Sequence, residues 1–362
     1  MRPEVTPALD AARRFWRGRR VLVTGHTGFK GAWLTLWLQR LGALVGGIAL
    51  PPETSPSLHA VLGPDRLCPE HLIDIREPAP LVAAMHEFAP EVVLHLAAQA
   101  LVFRGYREPV ATFATNVMGT AHVLEAARSS GSVRAVVVVT SDKVYANEER
   151  GAPFSEEAPL GGHDPYAASK AACEILTHAW NASFMRASGI ALATARAGNV
   201  IGGGDWAENR LLPDAARAWS QGLELTLRRP DAVRPWQHVL EPLWGYLLLA
   251  QALHEGRADH ASYNFGPSAA AQASVGEVIL LAQGAWPGAT VCIDPPAGAP
   301  AESGLLRLDA TRAARDLGVT SRWSLEEAVT RTMGWYRAFS QGESAAALCE
   351  NDILDYERLL AL

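Results

Sequence analysis

Tyr166 and Lys170 stand four residues apart in the segment Tyr166-Ala167-Ala168-Ser169-Lys170. If the segment is helical, this spacing places the two side chains on one face, one turn apart. An ammonium beside a phenol lowers the pKa of the phenol, so the pair would provide a base near neutral pH. The pattern is also short enough to occur in any helix, so by itself it favours catalysis and coincidence about equally.

Lysine is scarce in this chain, since only three of the 32 basic residues are lysines: Lys30, Lys143 and Lys170. A protein that uses arginine for nearly all of its surface charge is expected to keep lysine where a compact ammonium with a tunable pKa is needed. Lys143 ends the segment Thr140-Ser141-Asp142-Lys143, which adds a hydroxyl and a carboxyl group. These side chains are therefore candidates for acid and base chemistry.

A glycine-rich segment follows the first predicted strand, residues 20–24. Glycines at positions 25, 28 and 31 precede an apolar helix that we expect to end near Gly42. Such glycines permit a tight turn and let a pyrophosphate approach the N–H groups at the start of the helix. Strand, glycines and helix in this order predict a dinucleotide site, and the alternative is a glycine-rich turn without a ligand.

Strands and helices alternate up to residue 196. The further predicted strands are residues 43–50, 72–76, 90–99, 135–140 and 190–196. This alternation predicts an α/β fold, a Rossmann-type doubly wound parallel sheet with ligands at the carboxyl ends of its strands. Prolines interrupt the pattern beyond this point, and we expect a smaller C-terminal α/β substrate-binding domain with helices near residues 243–253, 275–283, 311–317 and 325–339.

The division into domains follows from this change of pattern. We predict a dinucleotide-binding Rossmann domain from residues 1–197, with a returning segment near residues 233–265. Residues 198–232 and 266–362 would form the smaller substrate-binding domain; the family resemblance described below implies NAD for the first domain and a nucleotide sugar for the second.

Composition excludes several classes of protein. A formal net charge of -6 gives no reason to expect nucleic acid or an anionic membrane as partner. The four cysteines are far apart, with no C-x-x-C pair and no histidine at metal-binding spacing, which predicts reduced thiols, no metal site and a cytoplasmic protein. Residues 1–20 lack the apolar centre of a signal peptide, and no uninterrupted apolar run approaches the length of a membrane span.

Three segments leave alternatives open. The second strand ends in Leu50-Pro51-Pro52 rather than in an acidic residue, with Glu53 a little later, so this position does not decide between NAD and NADP. Asp74 could meet an adenine amino group or serve as a turn carboxylate. The segment Arg234-Pro235-Trp236-Gln237-His238-Val239 suits a nucleotide ligand, or a structural loop with a buried tryptophan.

Taken together, the chain resembles the extended short-chain dehydrogenase/reductase family over nearly its whole length, and within it is most similar to the CDP-glucose 4,6-dehydratases. The general resemblance rests on the glycines at 25, 28 and 31, Asp74, residues 96–98, Asn116, Ser141 and the Tyr166-Lys170 pair. The specific resemblance rests on Gly25-His26-Thr27-Gly28-Phe29-Lys30-Gly31, Thr140-Ser141-Asp142-Lys143, residues 195–206 and residues 234–242.

Such enzymes act on a nucleotide-linked hexose with NAD, so the resemblance implies NAD as cofactor and CDP-glucose as substrate. It implies that Tyr166 removes the proton of the sugar C4 hydroxyl while hydride passes from C4 to the nicotinamide. Ser141 would bind the same oxygen and Lys170 the ribose. Asp142 would then protonate the leaving C6 hydroxyl while Lys143 removes the C5 hydrogen; the alternative for Lys143 is a salt bridge to a carboxylate.

The resemblance also implies two sets of binding residues. Cofactor contacts are expected from Gly25, Thr27, Gly28, Phe29, Lys30, Gly31, Asp74, Ile75, Leu96, Ala97, Ala98, Tyr166, Lys170 and Arg196. Substrate contacts are expected from Gln99, Asn199, Gly204, Asp205, Trp206, Arg210, Arg234, Trp236 and His238. A homodimer built on a four-helix bundle, or a tetramer, would place Ala121, Leu124, Ala172 and Leu176 near the interface.

Two departures from the family pattern bear on the substrate. Val144 stands where the family usually has cysteine, and Ala301-Glu302-Ser303 stands where it tends to have His-Glu-Ala. A different nucleotide sugar is therefore an alternative, as is a C4 epimerase, which would need Tyr166 and Lys170 but neither Asp142 nor Lys143. An alternative of another class is a catalytically silent NAD-binding regulatory protein on the same fold.

Overall fold

The computed structural model describes residues 8–148, 151–267, 272–294 and 305–361. The strands are β1 (Arg20–Thr24), β2 (Leu44–Ala49), β3 (Glu70–Leu72), β4 (Val92–His95), β5 (Ala135–Val139), β6 (Ala191–Ala197), β7 (Val200–Ile201), β8 (Leu225–Leu227), β9 (Val233–Pro235), β10 (Gln237–His238), β11 (Ser262–Phe265), β12 (Gln272–Ser274) and β13 (Val291–Ile293).

Helices flank these strands and occupy much of the C-terminal part. The α-helices are α1 (Ala8–Trp16), α2 (Phe29–Arg40), α3 (Leu58–Leu62), α4 (Pro64–Leu67), α5 (Pro78–Phe88), α6 (Val102–Arg107), α7 (Pro109–Phe113), α8 (Gly119–Ser129), α9 (Pro165–Trp180), α10 (Leu211–Ser220), α11 (Leu240–His254), α12 (Val275–Ala285), α13 (Thr311–Leu317), α14 (Leu325–Ser340) and α15 (Ala345–Leu360). Among the described helices, none is both long and apolar enough to cross a membrane.

A seven-stranded sheet organises the described residues, with the order β11-β6-β5-β4-β1-β2-β3. Every pairing in it is parallel. The order reverses between β1 and β4, which opens a crevice at the carboxyl ends of these two strands. The predicted Rossmann-type doubly wound sheet is confirmed, and its seventh strand, β11, comes from the segment that we expected to return to it.

The strands are apolar along their length because helices cover both faces of the sheet. All five residues of β5, Ala135–Val139, are buried. One large core lies on the side of α2 and α11 and continues into the C-terminal helices, and a second core lies on the side of α5 and α8. The two cores hold the sheet rigid, so the loops at its carboxyl edge start from fixed positions.

The C-terminal part contains three two-stranded pairings, β10 with β7, β12 with β9 and β13 with β8. Helices α12 and α14 pack against each other over this part, and α10 packs on α14. The predicted helices near residues 243–253, 275–283, 311–317 and 325–339 are all present, each slightly longer than or equal to its prediction.

Two sequence expectations differ from the structure. The third strand ends at Leu72 rather than near residue 76, because the Asp74 carboxylate accepts the backbone N–H of Arg76 and turns the chain. Ala121 and Leu124, which we expected at a dimer interface, are buried in the core of the chain itself, with 7% and 0% exposure. Apolar residues on the inner face of α8 pack on the sheet, so this face is not available to a partner.

Candidate active site

The glycine loop after β1 passes very close to the loop after β4. Gly25 has φ +77°, and a Cβ on it would lie 2.7 Å from the backbone nitrogen of Ala97. A Cβ on Gly31 would collide with the Gly25 carbonyl. Only glycine fits these two positions, because one requires left-handed backbone and both lack room for a side chain.

Helix α2 begins at Phe29, and its N-cap residue Gly28 supplies no side-chain hydrogen bond. The first N–H groups of the helix are therefore free to bind an anion, which the helix dipole also favours. Thr27 donates its hydroxyl to the Leu50 carbonyl at 2.8 Å and thereby holds the loop against the end of β2. This bare loop and uncapped helix start fit the pyrophosphate of a dinucleotide.

Tyr166 and Lys170 lie on the first turns of α9, which begins at Pro165. The Asp164 carboxylate caps this helix by accepting the backbone N–H of Ala167 at 2.9 Å. The predicted helical pair is present, and both side chains are buried. The Lys170 ammonium donates to the Val139 carbonyl at the end of β5, at 3.0 Å.

The pKa of Tyr166 differs from the sequence expectation. Burial raises it to about 12, and a hydrogen bond with the Ser141 side chain opposes this rise. We had expected Lys170 to lower this pKa. In the structure the ammonium is committed to a backbone carbonyl, and burial also lowers the pKa of Lys170 itself.

Asp142 is a buried carboxyl group in the loop after β5, with 3% exposure. Its Oδ1 accepts the Ser141 hydroxyl at 3.1 Å, and its Oδ2 has no hydrogen-bond partner among the described residues. Burial raises the pKa of Asp142, against the lowering effects of Lys143, Ser141 and Arg234. A carboxyl group that resists ionisation in this way is suited to donate a proton.

Further charged groups surround Asp142. Lys30 extends from α2 and places its ammonium 3.5 Å from the Tyr246 hydroxyl on α11. Burial, followed by repulsion from Arg210, lowers the pKa of Lys30 to about 7, while Asp142 raises it. Lys30 and Lys143 therefore both act electrostatically on the Asp142 carboxyl group.

Tyr246 is a member of this cluster that sequence reasoning missed. It is fully buried, and burial raises its pKa, with further increases from Tyr166 and Asp142. The residue stands in the apolar helix Leu240–His254, where a tyrosine is indistinguishable by pattern from a core residue. Only the packing of α11 against the sheet brings its hydroxyl to Lys30.

Several predicted contacts lie in the expected loops. Leu96, Ala97 and Ala98 are partly exposed after β4, and Asn199 is partly exposed between β6 and β7.

Asp205 lies 3.5 Å from Arg210, and the charges of both act on the pKa of Lys30. Gly204 has φ +83°, so it requires glycine for its backbone conformation. Ile75 is buried against Gly119, which leaves its backbone as the part able to meet a ligand.

Two predicted ligand residues are engaged within the protein. The Gln99 side chain donates to the Thr112 hydroxyl at 2.9 Å and accepts the Leu101 backbone N–H at 2.6 Å. The Asp74 carboxylate binds Arg76, as expected of a turn carboxylate, although its side chain keeps 20% exposure.

Arg196 was expected to contact the cofactor, and the structure places it elsewhere. Its guanidinium forms a buried ion pair with Glu174 at 2.8 Å and donates to the Tyr145 hydroxyl at 2.9 Å. Both members of the pair have about 4% exposure or less. These contacts join β6 to α9. The expected contact between Arg196 and the cofactor is therefore wrong, and Arg196 stabilises the core instead.

The predicted substrate segment around residue 236 divides into two parts. Trp236 donates its indole N–H to the Ala273 carbonyl at 3.0 Å and is buried. His238 is fully buried between Trp33 and Trp323, and burial lowers its pKa to about 3. Trp236 and His238 therefore fit the alternative of a structural loop. Arg234 belongs to the site, because its charge lowers the pKa of Asp142.

Trp206 and Val144 also serve packing. The Trp206 ring lies against Trp335, Tyr336 and Phe339. Val144 is fully buried in a small core with Tyr145, Ala171 and Leu308. Ala301-Glu302-Ser303, the second departure from the family pattern, lies outside the described residues.

Comparisons with known proteins agree with this geometry. Residues 21–266 match the NAD dependent epimerase/dehydratase family. The chain is 42% identical over 350 residues to the CDP-glucose 4,6-dehydratase of Salmonella typhimurium, an alignment that covers 95% of this chain and 98% of the relative.

Two solved structures share the fold. UDP-glucose-4-epimerase from Stenotrophomonas maltophila, with bound NAD, has a TM-score of 0.79 at 26% identity and covers 90% of this chain and 100% of its own. The dTDP-glucose 4,6-dehydratase of Streptomyces venezuelae, with NAD and TYD bound, has a TM-score of 0.74 at 26% identity and covers 88% of this chain and 97% of its own.

Proposed function

Since the chain belongs to the NAD dependent epimerase/dehydratase family, we propose that it is an NAD-dependent nucleotide-sugar 4,6-dehydratase. The substrate proposed is CDP-glucose, on the basis of 42% identity to a CDP-glucose 4,6-dehydratase along nearly the whole chain. The product is CDP-4-keto-6-deoxyglucose, and the enzyme is a hydro-lyase. A precursor of this kind serves the biosynthesis of deoxysugars for polysaccharides.

The observation that carries the proposal is the position of Asp142 relative to Tyr166. Both side chains interact with Ser141, the tyrosine through its hydroxyl and the carboxyl through Oδ1. The proposed base for the C4 hydroxyl and the proposed acid for the C6 hydroxyl thus both interact with one serine. An epimerase needs only the first of these groups, so the pairing favours dehydration.

Oxidation at C4 depends on Tyr166, Ser141 and Lys170. NAD held by the glycine loop would supply the hydride acceptor for C4 and then the hydride donor for C6. Ser141 binds the C4 hydroxyl oxygen while Tyr166 takes the proton. Because burial holds the pKa of Tyr166 at about 12, this step requires positive charge beside the ring. Arg210 is a cation that lowers this pKa, whereas Lys170 donates to the Val139 carbonyl and would bind the ribose of the cofactor.

Elimination of water then depends on Asp142 and Lys143. The C4 ketone makes the C5 hydrogen acidic, so Lys143 takes this proton as the C5–C6 double bond forms and returns it to C5 when hydride is delivered to C6. The C6 hydroxyl leaves with the proton of Asp142, so one water departs. Burial of Asp142 favours its protonated form, which is the form that the step consumes. The positive charges of Lys143, Arg234 and Lys30 oppose this effect of burial, because they lower the pKa of Asp142.

Binding is divided between the two parts of the chain. We assign NAD to residues 1–197 with the returning segment near 233–265, through the glycine loop and the free N–H groups of α2. We assign the nucleotide sugar to residues 198–232 and 266–362, together with Arg234 of the returning segment. The charges of Asp205 and Arg210 act on Lys30, and the charge of Arg234 acts on Asp142. A location in the cytoplasm fits the four free thiols.

A homodimer completes the proposal. Large apolar side chains are exposed around α7 to α9 and the turns that follow it: Val110, Phe113, Met118, Ile175 and Phe184. A four-helix bundle that pairs α8 and α9 with their copies would cover these side chains. The contacts would come from Met118 and Ile175, with 53% and 62% exposure, rather than from Ala121 and Leu124.

The test is mass spectrometry of the products after incubation of the purified protein with NAD and, in parallel, CDP-glucose, dTDP-glucose, UDP-glucose and GDP-mannose. Loss of one water from CDP-glucose alone is the expected result. Loss of water from another sugar nucleotide would mean that the reaction is correct and the substrate is not CDP-glucose. If no sample loses mass and NMR shows interconversion of C4 epimers, the reaction is epimerisation and not dehydration.

A further inference from the structure

Three potential metal ligands meet behind the glycine loop: His26, His59 and Glu70. Nε2 of His26 lies 2.7 Å from Glu70 Oε2, and Nε2 of His59 lies 2.8 Å from the same oxygen. All three atoms lie within 4.8 Å of one another. The sequence predicted no metal site, because these residues come from three separate segments and include no cysteine.

Packing fixes the orientation of both imidazole rings. His26 lies in the glycine loop, and a Cβ on Gly47 of β2 would lie 2.6 Å from its ring, so the ring depends on that glycine for space. His59 lies on α3, which Ser57 caps by accepting the Ala60 backbone N–H at 3.2 Å. The two rings meet edge to face, with centroids 5.4 Å apart. Neither ring can turn away from Glu70 without repacking.

The shape of this cluster suits a cation. Both imidazole rings are buried, with 0% exposure for His26 and 3% for His59, and each presents Nε2 to the same carboxylate oxygen. Nitrogen and oxygen donors that converge from three separate segments can share one bound ion, which would replace the hydrogen bonds that the two rings otherwise make to Glu70.

We propose that His26, His59 and Glu70 bind a divalent cation of the zinc class. Two imidazole nitrogens and one carboxylate oxygen are ligands that zinc takes in proteins, with water in a fourth position. Glu70 keeps 23% exposure, which provides the opening for that water. Ligand distances of about 2.0 to 2.2 Å in a tetrahedral site place neighbouring ligand atoms about 3.4 Å apart, so each Nε2 must move about 0.6 to 0.7 Å further from Glu70 Oε2.

A cation at this position would join three elements. His26 belongs to the loop that we assign to the dinucleotide pyrophosphate, His59 to α3 and Glu70 to β3. The bound ion would therefore hold the glycine loop against the edge of the sheet. Since a ligand that binds only the folded state stabilises it, the melting temperature should rise with the concentration of zinc.

The experiment uses the full chain after removal of metals with EDTA. Titration with zinc chloride in a calorimeter should give one site per chain, and Co²⁺ should give a visible absorption band upon binding. Glu70→Gln and His59→Phe should each weaken zinc binding by at least about tenfold. The matched control is His71→Ala, which removes a histidine from β3 next to Glu70 but outside the cluster.

Glu70→Gln keeps the shape of the side chain and an acceptor oxygen, so it serves as the test even if His59→Phe does not fold. Absence of zinc binding to the wild-type chain would overturn the proposal. Equal zinc affinity in wild type and Glu70→Gln would also overturn it. If Cys68→Ser weakens zinc binding and Glu70→Gln does not, the ion binds at the neighbouring thiol. That result would also reject the proposed site.

Discussion

The carboxyl group of Asp142 lies directly against the backbone of Gly198. A Cβ on Gly198 would lie 2.7 Å from Asp142 Oδ2, on a site that also touches Pro235. The loops after β5 and β6 and the strand β9 thus meet at one carboxyl group. The absence of a side chain at position 198 is what allows the proposed acid to occupy its place.

Gly198→Ala should therefore reduce turnover by about a hundredfold, because the methyl group displaces Asp142 from the reacting oxygen. NAD affinity should be unchanged, since the glycine loop is not altered. Steady-state kinetics and calorimetric NAD titration measure the two effects. Gly284→Ala is the control, because a Cβ at that helical position meets no atom within 4 Å. Full activity in Gly198→Ala would mean that Asp142 needs no fixed position.

Lys143→Met should stop elimination while leaving oxidation at C4 detectable, because only the base for the C5 hydrogen is lost. The absorbance of reduced nicotinamide and the mass of the sugar product follow the two steps. Lys143→Arg distinguishes a role as base from a role as salt-bridge partner of Asp142, since arginine keeps the charge but does not give up its proton. Activity retained in Lys143→Arg would favour the salt bridge, and unchanged turnover in Lys143→Met would reject the assigned role.

Lys30 should make the stability of the protein rise with pH. Its pKa is about 7 in the folded protein and about 10.5 in the unfolded chain. Below about pH 7 both states carry the proton, and the cost of burying the ammonium is fully present. Between these values the unfolded chain binds more protons, so the free energy of unfolding increases with pH. Urea denaturation across this range should show a steeper rise for the wild type than for Lys30→Met. Parallel curves would contradict the lowered pKa.

Arg196→Met should lower stability rather than NAD affinity. Removing one partner leaves Glu174 buried without its counter-charge, which costs about 3 to 5 kcal/mol. Urea denaturation and NAD titration distinguish the two effects. Arg315→Ala is the control, because Arg315 is 63% exposed and pairs only at the surface. Weaker NAD binding at unchanged stability would restore the cofactor contact expected from the sequence.

Ile175→Glu should convert the proposed dimer into monomers, because it places a charge on the exposed face of α9. Size-exclusion chromatography with light scattering measures the mass directly. Leu280→Glu is the matched control, since Leu280 is 69% exposed on α12, away from the proposed bundle. A dimer that persists in Ile175→Glu would place the interface elsewhere.

Patterns within the sequence were enough to predict the doubly wound sheet, which the structure confirms, and to nominate the central reactive groups. Apolar strands that alternate with helices leave few ways to bury both faces of a parallel sheet. Short-range spacing likewise determined that Tyr166 and Lys170 share a helical face, and that Ser141 and Asp142 follow a buried strand. These relationships lie within one segment, where local geometry decides the outcome.

Which polar side chains face the site and which are buried elsewhere depends on packing in three dimensions. His238 and Trp236 stand in a segment rich in candidate ligands, yet the pairing of β10 with β7 and β12 with β9 directs both into the core. Tyr246 and the cluster of His26, His59 and Glu70 come from segments distant in sequence. These residues come together because of how helices and loops pack on the sheet, and no pattern within a single segment predicts that packing.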